Sequence, residues 1–402
     1  MLVAGASIAG PALAHWLRRR GAEVTVVERV PELRPGGQAV DARGVTREVI
    51  RRMGLDAAVR AACTETAGAY TVDVDGNVLE TFRADDDGGD GYISEIEILR
   101  GDLSRVLYDD TRDGVEYIFG DRIAELTQDA DGVDVTFAGG GRRRFDLVVG
   151  ADGLHSALRA MVFGPYERFV RHLGHVMAFY TVPNEFGLDR WLIDYQESGR
   201  SAGLRPIQDA TRAMAMFSFP AAGLDVDYRD VAAQKRLLRE RMAGLGWLTP
   251  RILAHLDHTP DFYLDQVAQV VMDRWSSGRV GLLGDAAFSS SPLSGQGTGL
   301  ALVGAYLLAG ELAAAGWDPE AGFAGYERRM RSFVEANQEI GRLHARSLAA
   351  PGPDAEPSPD FNAEWFTELI ERALNGAELP DYAGVPDSGA PAGPPVTSPA
   401  MS

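Results

Sequence analysis

Apolar positions recur along the chain in two rhythms. A short apolar block at 2–4 is followed by a glycine-bearing turn. Over 9–20, alanines, leucines and Trp16 then return at helical spacing, and Arg18, Arg19 and Arg20 gather at the end, where cations suit the helix dipole. Gly21 stops that helix, and the β-branched run EVTVVE (23–28) reads as a second strand. Together these predict a βαβ unit with parallel strands. Residues 44–62 and 99–110 carry helical spacing. TVDVDGNVLET (71–81) predicts a hairpin around Asp75-Gly76, and 115–137 alternate in period two around Asp131-Gly132. FDLVVGADG (145–153) is a buried strand running into a turn.

From about 165 to 275 the pattern changes. GHVMAFYTV, RWLIDYQ, GLRPI and TRAMAMFSF read as strands of a separate sheet, followed by a charged helix (230–244) and a long strand (262–275). RVGLLGDAA (279–287) returns to buried-strand character, and two helices follow at 296–315 and 319–348. The remainder is rich in Pro, Gly and Ser, with one helical stretch at 361–375 and a tail expected to be disordered. Residues 83–91 form an exposed acidic loop whose oxygen-ligand spacing does not suit calcium. The pattern is that of an α/β chain with an α+β insertion.

The chain has 402 residues, enough for two or three domains. Its formal net charge of −19 argues against nucleic acid or an anionic membrane as partner. No apolar stretch reads as long enough to span a bilayer, and the apolar start lacks a basic leader. Cys63 is the only cysteine, which excludes an internal disulfide or a thiolate metal cluster and fits a cytoplasmic protein. Lys235 is the only lysine, so lysine chemistry is confined to that position. His172 and His175, like His255 and His258, sit three apart without an evident third ligand, so no metal is expected.

Three segments carry chemistry. Gly5-Ala6-Ser7-Ile8-Ala9-Gly10 matches the dinucleotide fingerprint G-x-G-x-x-G except at Ser7. Gly5 supplies the tight turn, Gly10 lets the helix pack on the sheet, and Ser7 occupies the point of closest approach to phosphate with a small hydroxyl. Glu28 ends the second strand, where a ribose needs an acceptor, and Glu28-Arg29 disfavours a 2′-phosphate. The second segment, DLVVGADGLHSALR (146–159), delivers Asp152 and Gly153 into a strand–turn–helix corner. The third, 278–312, ends a strand at Gly284-Asp285, stiffens a loop with Pro292, and opens an apolar helix with Gly295, Gln296, Gly297, Thr298 and Gly299. Its exposed amides form a second anion-stabilising helix start.

These three segments, in this order and spacing over residues 1–348, resemble the class A FAD-dependent monooxygenases of the para-hydroxybenzoate hydroxylase type. The likeness is nearest to the short members and the tetracycline-inactivating hydroxylases. It implies a Rossmann-like FAD-binding domain, a mixed-sheet substrate domain and C-terminal helices. The FAD-binding domain would span 1–164, with a small β insertion at 68–98, and resume at 276–348. The substrate sheet would span 165–275, and 349–402 would be an extension. Gly5, Ser7, Ile8, Ala9 and Gly10 would hold the FAD diphosphate. Glu28 would bind the adenosine ribose, and Arg29 and Ile123 would be further cofactor contacts. Asp152, Gly153, Gly284, Asp285 and Arg100 would serve the ribityl chain, diphosphate and incoming pyridine nucleotide. Gln38 and Arg43 of GGQAVDARG (36–44), and Pro292 through Gly299, would lie along the isoalloxazine. Phe288 stands where the family usually has His.

The resemblance implies that NADH or NADPH reduces the flavin, that O2 then gives a C4a-hydroperoxide, and that one oxygen atom passes to substrate. The protein's part is to exclude water and to place an electron-rich carbon. The substrate, a bulky aromatic or polyketide-like molecule, would lie against the 165–275 sheet. Its walls would come from Met177, Phe179, Leu192, Met214, Met216 and Phe217, with His175, Tyr195 and Arg205 as polar candidates. Met214 and Met216 share a strand face. Baeyer–Villiger insertion, a non-redox cyclase that keeps FAD as a wall, and a flavin reductase stay open. A flavin halogenase is disfavoured, since Lys235 falls on a charged helix and Trp-x-Trp-x-Ile-Pro is missing. A monomer or weak homodimer is expected.

Overall fold

The computed structural model describes residues 1–84, 93–224, 227, 229–349 and 363–382. Most of the acidic loop, the Pro-rich stretch at 350–360 and the C-terminal tail lie outside the described residues.

Four strands with buried β-branched and apolar residues form the centre of a six-stranded sheet. Leu2–Ala4 is flanked by Thr25–Glu28 on one side and Val148–Gly150 on the other, all parallel, and Val280–Leu282 lies beyond Val148–Gly150. Glu116–Phe119 and Ser276–Ser277 form the edges. Both faces of this sheet are covered, as parallel sheets require. Helix Ala9–Arg19 packs against the apolar helix Gly297–Ala314, which also contacts Val45–Met53 and the long helix Pro319–Ala349. Helix Gly297–Ala314 is long and apolar enough to cross a membrane by length and composition. This corrects the reading that no stretch reaches that length. Its apolarity on every side follows from its place at the centre of the core, where nearly all its residues are buried.

A second, seven-stranded sheet runs in the order Tyr263–Val270, Val170–Pro183, Arg212–Pro220, Arg200–Pro206, Trp191–Glu197, Gly68–Val72 and Val78–Arg83. All neighbours are antiparallel except Trp191–Glu197 with Gly68–Val72. The hairpin at 68–83, expected as an insertion of the nucleotide domain, is therefore the edge of this sheet. The strand expected over 262–275 ends at Val270. One face of the sheet buries Val176, Ala178, Tyr180, Tyr195, Phe217 and Phe219 with residues of helices Val231–Met242 and Thr249–Ala254. The other face turns toward the first sheet.

Two short strands, Ala39–Asp41 and Glu97–Leu99, pair antiparallel between the two large sheets. They carry too little periodicity to be legible in the sequence. The helical stretch at 44–62 divides into Val45–Met53 and Asp56–Ala61, because Gly54 takes the left-handed conformation (φ +78°) that ends the first. Helix Ala363–Asn375 forms as expected and packs on Pro319–Ala349. The residues after it dock too. Tyr306 and Arg52 donate hydrogen bonds to the Pro380 carbonyl, and Tyr382 donates to Glu311 (2.7 Å) with its ring over the bare face of Gly310.

Candidate active site

Four adjacent parallel strands end at one edge of the first sheet, and each ends in a residue singled out by the sequence. The order across the edge is Asp285, Asp152, Gly5 and Glu28. Ligands of open α/β sheets bind beyond such carboxyl ends, where helices leave to opposite sides. The edge is laced by backbone: Gly5 N–H donates to Val27 O (2.8 Å), Ala151 N–H to Ala4 O (2.7 Å) and Leu283 N–H to Gly150 O (2.8 Å).

The first turn has no room for side chains. Gly5 has φ +109°, and a Cβ there would lie 2.4 Å from the Ala151 carbonyl oxygen. A Cβ on Gly10 would lie 1.9 Å from the Gly5 oxygen. Ile8 and Ala9 open helix Ala9–Arg19, which has neither a side-chain cap nor an acidic residue in its first turn. Ser7 Oγ sits 3.4 Å from Ser104 Oγ, so its hydroxyl is held at the mouth of the turn. Glu28 accepts hydrogen bonds from the amides of Ala6 (2.9 Å) and Val30 (3.1 Å). Arg29 is exposed beside Arg34, whose guanidinium is lowered by burial and by the charges of Arg29 and Arg100. Ile123 is buried at the head of its strand, two residues from Asp121, whose amide donates to the Glu28 carbonyl.

The second and third segments meet through an arginine that the sequence reading passed over. Asp152 caps the helix that follows it, accepting from Ser156 Oγ (2.5 Å) and from the amides of Ala157 (2.8 Å) and Leu158 (3.1 Å). Arg159, 1% exposed, donates to Leu154 O (2.6 Å) and to Ala286 O (2.9 Å), and so ties the Asp-Gly turn to the Gly-Asp segment. Gly284 (φ +64°) lies against Ala9, the first residue of the phosphate helix. Asp285 is exposed just beyond the carboxyl edge of the sheet. The surrounding protein pushes its carboxyl above the usual range, while Arg100, Ser289 and Arg159 oppose that. Arg100 opens helix Arg100–Thr111, and its amide donates to Gln38 O (3.0 Å). This fixes loop 36–44 against the cleft. Arg43 reaches Asp41 (3.0 Å) from the same loop.

The loop from Ser289 to Gln296 is held from behind. Ser291 has φ +76°, a strained conformation for a residue with a side chain, and the left-handed Gly295 (φ +67°) closes the turn after Pro292. Gln269 donates to Ser290 O (3.0 Å), Gln338 to Val270 O (2.8 Å), and His344 Nδ1 bonds Leu293 O (2.6 Å). Gly341 completes this clamp, since a Cβ there would stand 2.4 Å from Ser290 O. Gly341→Ala is therefore expected to displace the loop and weaken FAD binding about tenfold, read as a lower ratio of flavin to protein absorbance and a shifted flavin band. Phe288, in place of the family's His, is 1% exposed and packs on Trp275 and Tyr326.

The face of the seven-stranded sheet that turns inward carries Met177, Phe179, Met214 and Met216. They are clustered with Leu99, Ala39 and Ile207. Leu192 lies on the same side, packed with Ala69 and Ile93. Phe217 and Tyr195 do not belong there. They alternate with Met216 and Asp194 on their strands, so they bury in the opposite core. Arg205 is on the inward face but is paired with the buried Glu97. His175 shares the strand parity of Met177; it is 4% exposed, burial lowers its imidazole, and its Nδ1 has no partner among the described residues. Tyr263, across from Phe179, faces the cleft, where it feels Asp265, Arg100 and Asp285.

The residues fit FAD on three counts. Two helix starts, at Ala9 and Gly297, lack side-chain caps and face the same edge. The diphosphate turn excludes any Cβ at Gly5 and Gly10. Two polar atoms beside Gly299, Thr46 Oγ1 and Gln296 Oε1, are buried without hydrogen-bond partners among the described residues. Buried polar groups in proteins are seldom left so.

Residues 1–339 match the family model described as an FAD binding domain. An uncharacterized protein of Mycobacterium tuberculosis (strain H37Rv) is 50% identical, covering 95% of this chain and 99% of its own length. A flavin-dependent monooxygenase of Legionella longbeachae is 37% identical over 95% of this chain and 98% of its own. The crystal structure of tetracycline destructase Tet(51) superposes with a TM-score of 0.83 at 35% identity, covering 95% of this chain and 98% of that one. FAD is the cofactor that this cleft is built to hold, and the chain belongs to the FAD-binding-domain family of flavin-dependent monooxygenases.

Proposed function

We propose that this monooxygenase hydroxylates a bulky aromatic or polyketide-like small molecule at the expense of NADH or NADPH and O2. The observation that carries the reading is the inward sheet face. Met177, Phe179, Met214 and Met216 present polarizable, adaptable side chains toward the cofactor cleft, with Asp194 and Arg205 at their far side. An apolar floor with few polar groups suits a flat aromatic ligand. The tetracycline destructase neighbour adds weight to a polycyclic substrate.

When bound, FAD supplies the hydride acceptor and the oxygen-transfer chemistry. The chain's own residues bind and orient. Gly5, Ser7 and Gly10 would admit the diphosphate at the start of helix Ala9–Arg19, and Glu28 would accept from the adenosine ribose. Asp152, Asp285 and Arg100 would line its ribityl chain. The amides of Gly297 and Thr298 would face negative charge developing on the ring, as an oxyanion hole does. The methionines and Phe179 would keep water from the reacting atoms.

The test is anaerobic stopped-flow reduction of the holoenzyme by NADH and by NADPH, with and without a panel of one-ring to four-ring phenols. Flavin bleaching faster by at least tenfold with a polycyclic member, and oxygen uptake coupled to a product heavier by one oxygen atom, are expected. Turnover that needs neither O2 nor reduced nicotinamide would instead make the protein a non-redox cyclase.

A further inference from the structure

Two helices begin close together at the cofactor cleft, and a buried group at each start is left without a partner. Loop 36–44 runs into helix Val45–Met53, whose cap is Gly44, and helix Gly297–Ala314 starts at Gln296; neither start has a side-chain cap. The two helices pack on each other. Thr46 stands in the first turn of one, 0% exposed, with its amide donating to Arg43 O (3.0 Å). Gln296 is the cap of the other, 4% exposed. Their side-chain oxygens meet at Gly299. A Cβ there would lie 2.6 Å from Thr46 Oγ1 and 3.1 Å from Gln296 Oε1, so the two oxygens occupy the room that a side chain at 299 would take. Neither has a hydrogen-bond partner among the described residues, the other included. The same turn borders the cradle, since a Cβ on Gly297 would lie 3.9 Å from Asp285 Oδ1.

We infer that Gln296 and Thr46 are the side-chain partners of the pyrimidine edge of the flavin: Gln296 Oε1 accepts from N3–H, and the Thr46 hydroxyl donates to a carbonyl beside it. That edge offers a single N–H donor between two carbonyl acceptors. A buried amide oxygen needs a donor, a buried hydroxyl can supply one, and each is costly until it is paired. Bulk water reaches neither atom. The amides of Gly297 and Thr298 open the same helix start and leave the second carbonyl its own donors. Gly299 makes the arrangement possible, since any larger residue would displace the Thr46 hydroxyl. The inference stands on FAD as the cofactor and is independent of the substrate. It gives two side chains, one of them outside the three motif segments, a part in setting the electron affinity of the flavin. Reduction adds negative charge to the carbonyls of this edge, so a hydroxyl that donates to one of them favours the reduced form.

The test compares FAD with 3-methyl-FAD, in which a methyl group replaces the N3 proton, on the full-length apoprotein. Affinity is read by quenching of flavin fluorescence, and the midpoint potential of the bound flavin by dye-coupled reduction. FAD binding by the wild type is established first, so that a failure of the cradle and a failure of this inference stay distinct. The wild type is expected to bind 3-methyl-FAD about tenfold more weakly than FAD, the loss of one buried hydrogen bond. Gln296→Met keeps the length of the side chain and removes its acceptor. It should weaken FAD and bring the two flavins within about twofold of one another, whereas a purely steric penalty of the methyl group would persist. Thr46→Val should lower the midpoint potential and leave the ratio of the two flavins near its wild-type value. Thr46→Ser, which keeps the hydroxyl, should hold the wild-type potential. Gly299→Ala pushes against both oxygens. It is the further variant should Gln296→Met or Thr46→Val fail to fold, and it should show both effects. A wild type indifferent to the methyl group, or a ratio unchanged in Gln296→Met, overturns the role of Gln296. A potential unmoved by Thr46→Val, or moved equally by Thr46→Ser, overturns that of Thr46.

Discussion

Gly5→Ala is expected to purify colourless, with less than a tenth of the wild-type FAD content. Two costs combine at that position. A φ of +109° is one that residues with side chains rarely adopt. The added Cβ also meets backbone on another strand, at 2.4 Å from Ala151 O and 3.1 Å from Asp152 Cα. Backbone held in a parallel ladder cannot yield as a flexible side-chain end can. Relief therefore moves the Asp-Gly turn away from the phosphate turn, and both line the same cleft. A loss of about 3 kcal/mol in binding corresponds to about two orders of magnitude in affinity. Titration of the apoprotein with FAD would read this directly, alongside the 450 nm absorbance of the purified protein. Ser7→Gly is the informative companion, since it restores the usual fingerprint and should leave FAD bound. A yellow Gly5→Ala protein with wild-type affinity would refute the account of the cradle.

The same geometry explains what the sequence made legible. Gly5, Asp152 and Asp285 are far apart in the chain, but each follows a short run of buried apolar residues. Parallel pairing brings the ends of such runs to one edge. Local signals sufficed there because each segment carries its own strand and its own turn. They did not suffice for contacts made over long separations. Nothing around Arg159 foretells that its guanidinium would span to Ala286, or that Gly341, on a helix of ordinary amphipathic pattern, would back the Ser290 carbonyl. The pairing of Ala39–Asp41 with Glu97–Leu99 involves three residues a side, too few for a period to emerge. Phe217 is a different case. Period two already separates it from Met216, but alternation says only which residues share a face. Which face meets the cofactor was decided by the helices Val231–Met242 and Thr249–Ala254, which cover the other. No local signal marks 376–382, and its docking depends on Gly310 and Tyr306, some seventy residues earlier.

Arg205 illustrates how a residue's partner redefines its role, and it gives the largest expected effect on stability. The sequence sets it among the polar groups expected to face substrate. In the fold it pairs with Glu97, which is 4% exposed and whose Oε1 also accepts from Thr64 and Thr66 (2.6 Å each). Burial alone would raise the Glu97 carboxyl, but the Arg205 charge and the two hydroxyls outweigh it and hold the group below its usual range. Removing one member of such a pair leaves the other buried and uncompensated, at a cost of about 3–5 kcal/mol. Glu97→Gln, which keeps an acceptor for the threonines, should show this loss in denaturant unfolding at pH 7, and Arg205→Met a similar one. The double variant should be much less unstable than the sum, because no charge is then stranded. Acid supplies an independent check. A carboxyl lowered by folding stabilises fully above its unfolded value, and that contribution is lost as pH falls through the lowered folded value. The gap between wild type and Glu97→Gln should therefore stay wide at pH 6 to 7 and narrow below about pH 4. An additive double variant, or a gap indifferent to pH, would show that the pair contributes nothing. Because Glu97–Leu99 leads directly into Arg100, loss of the pair should also loosen the cation that faces Asp285. FAD affinity is then expected to fall together with stability in each single variant and to recover with it in the double.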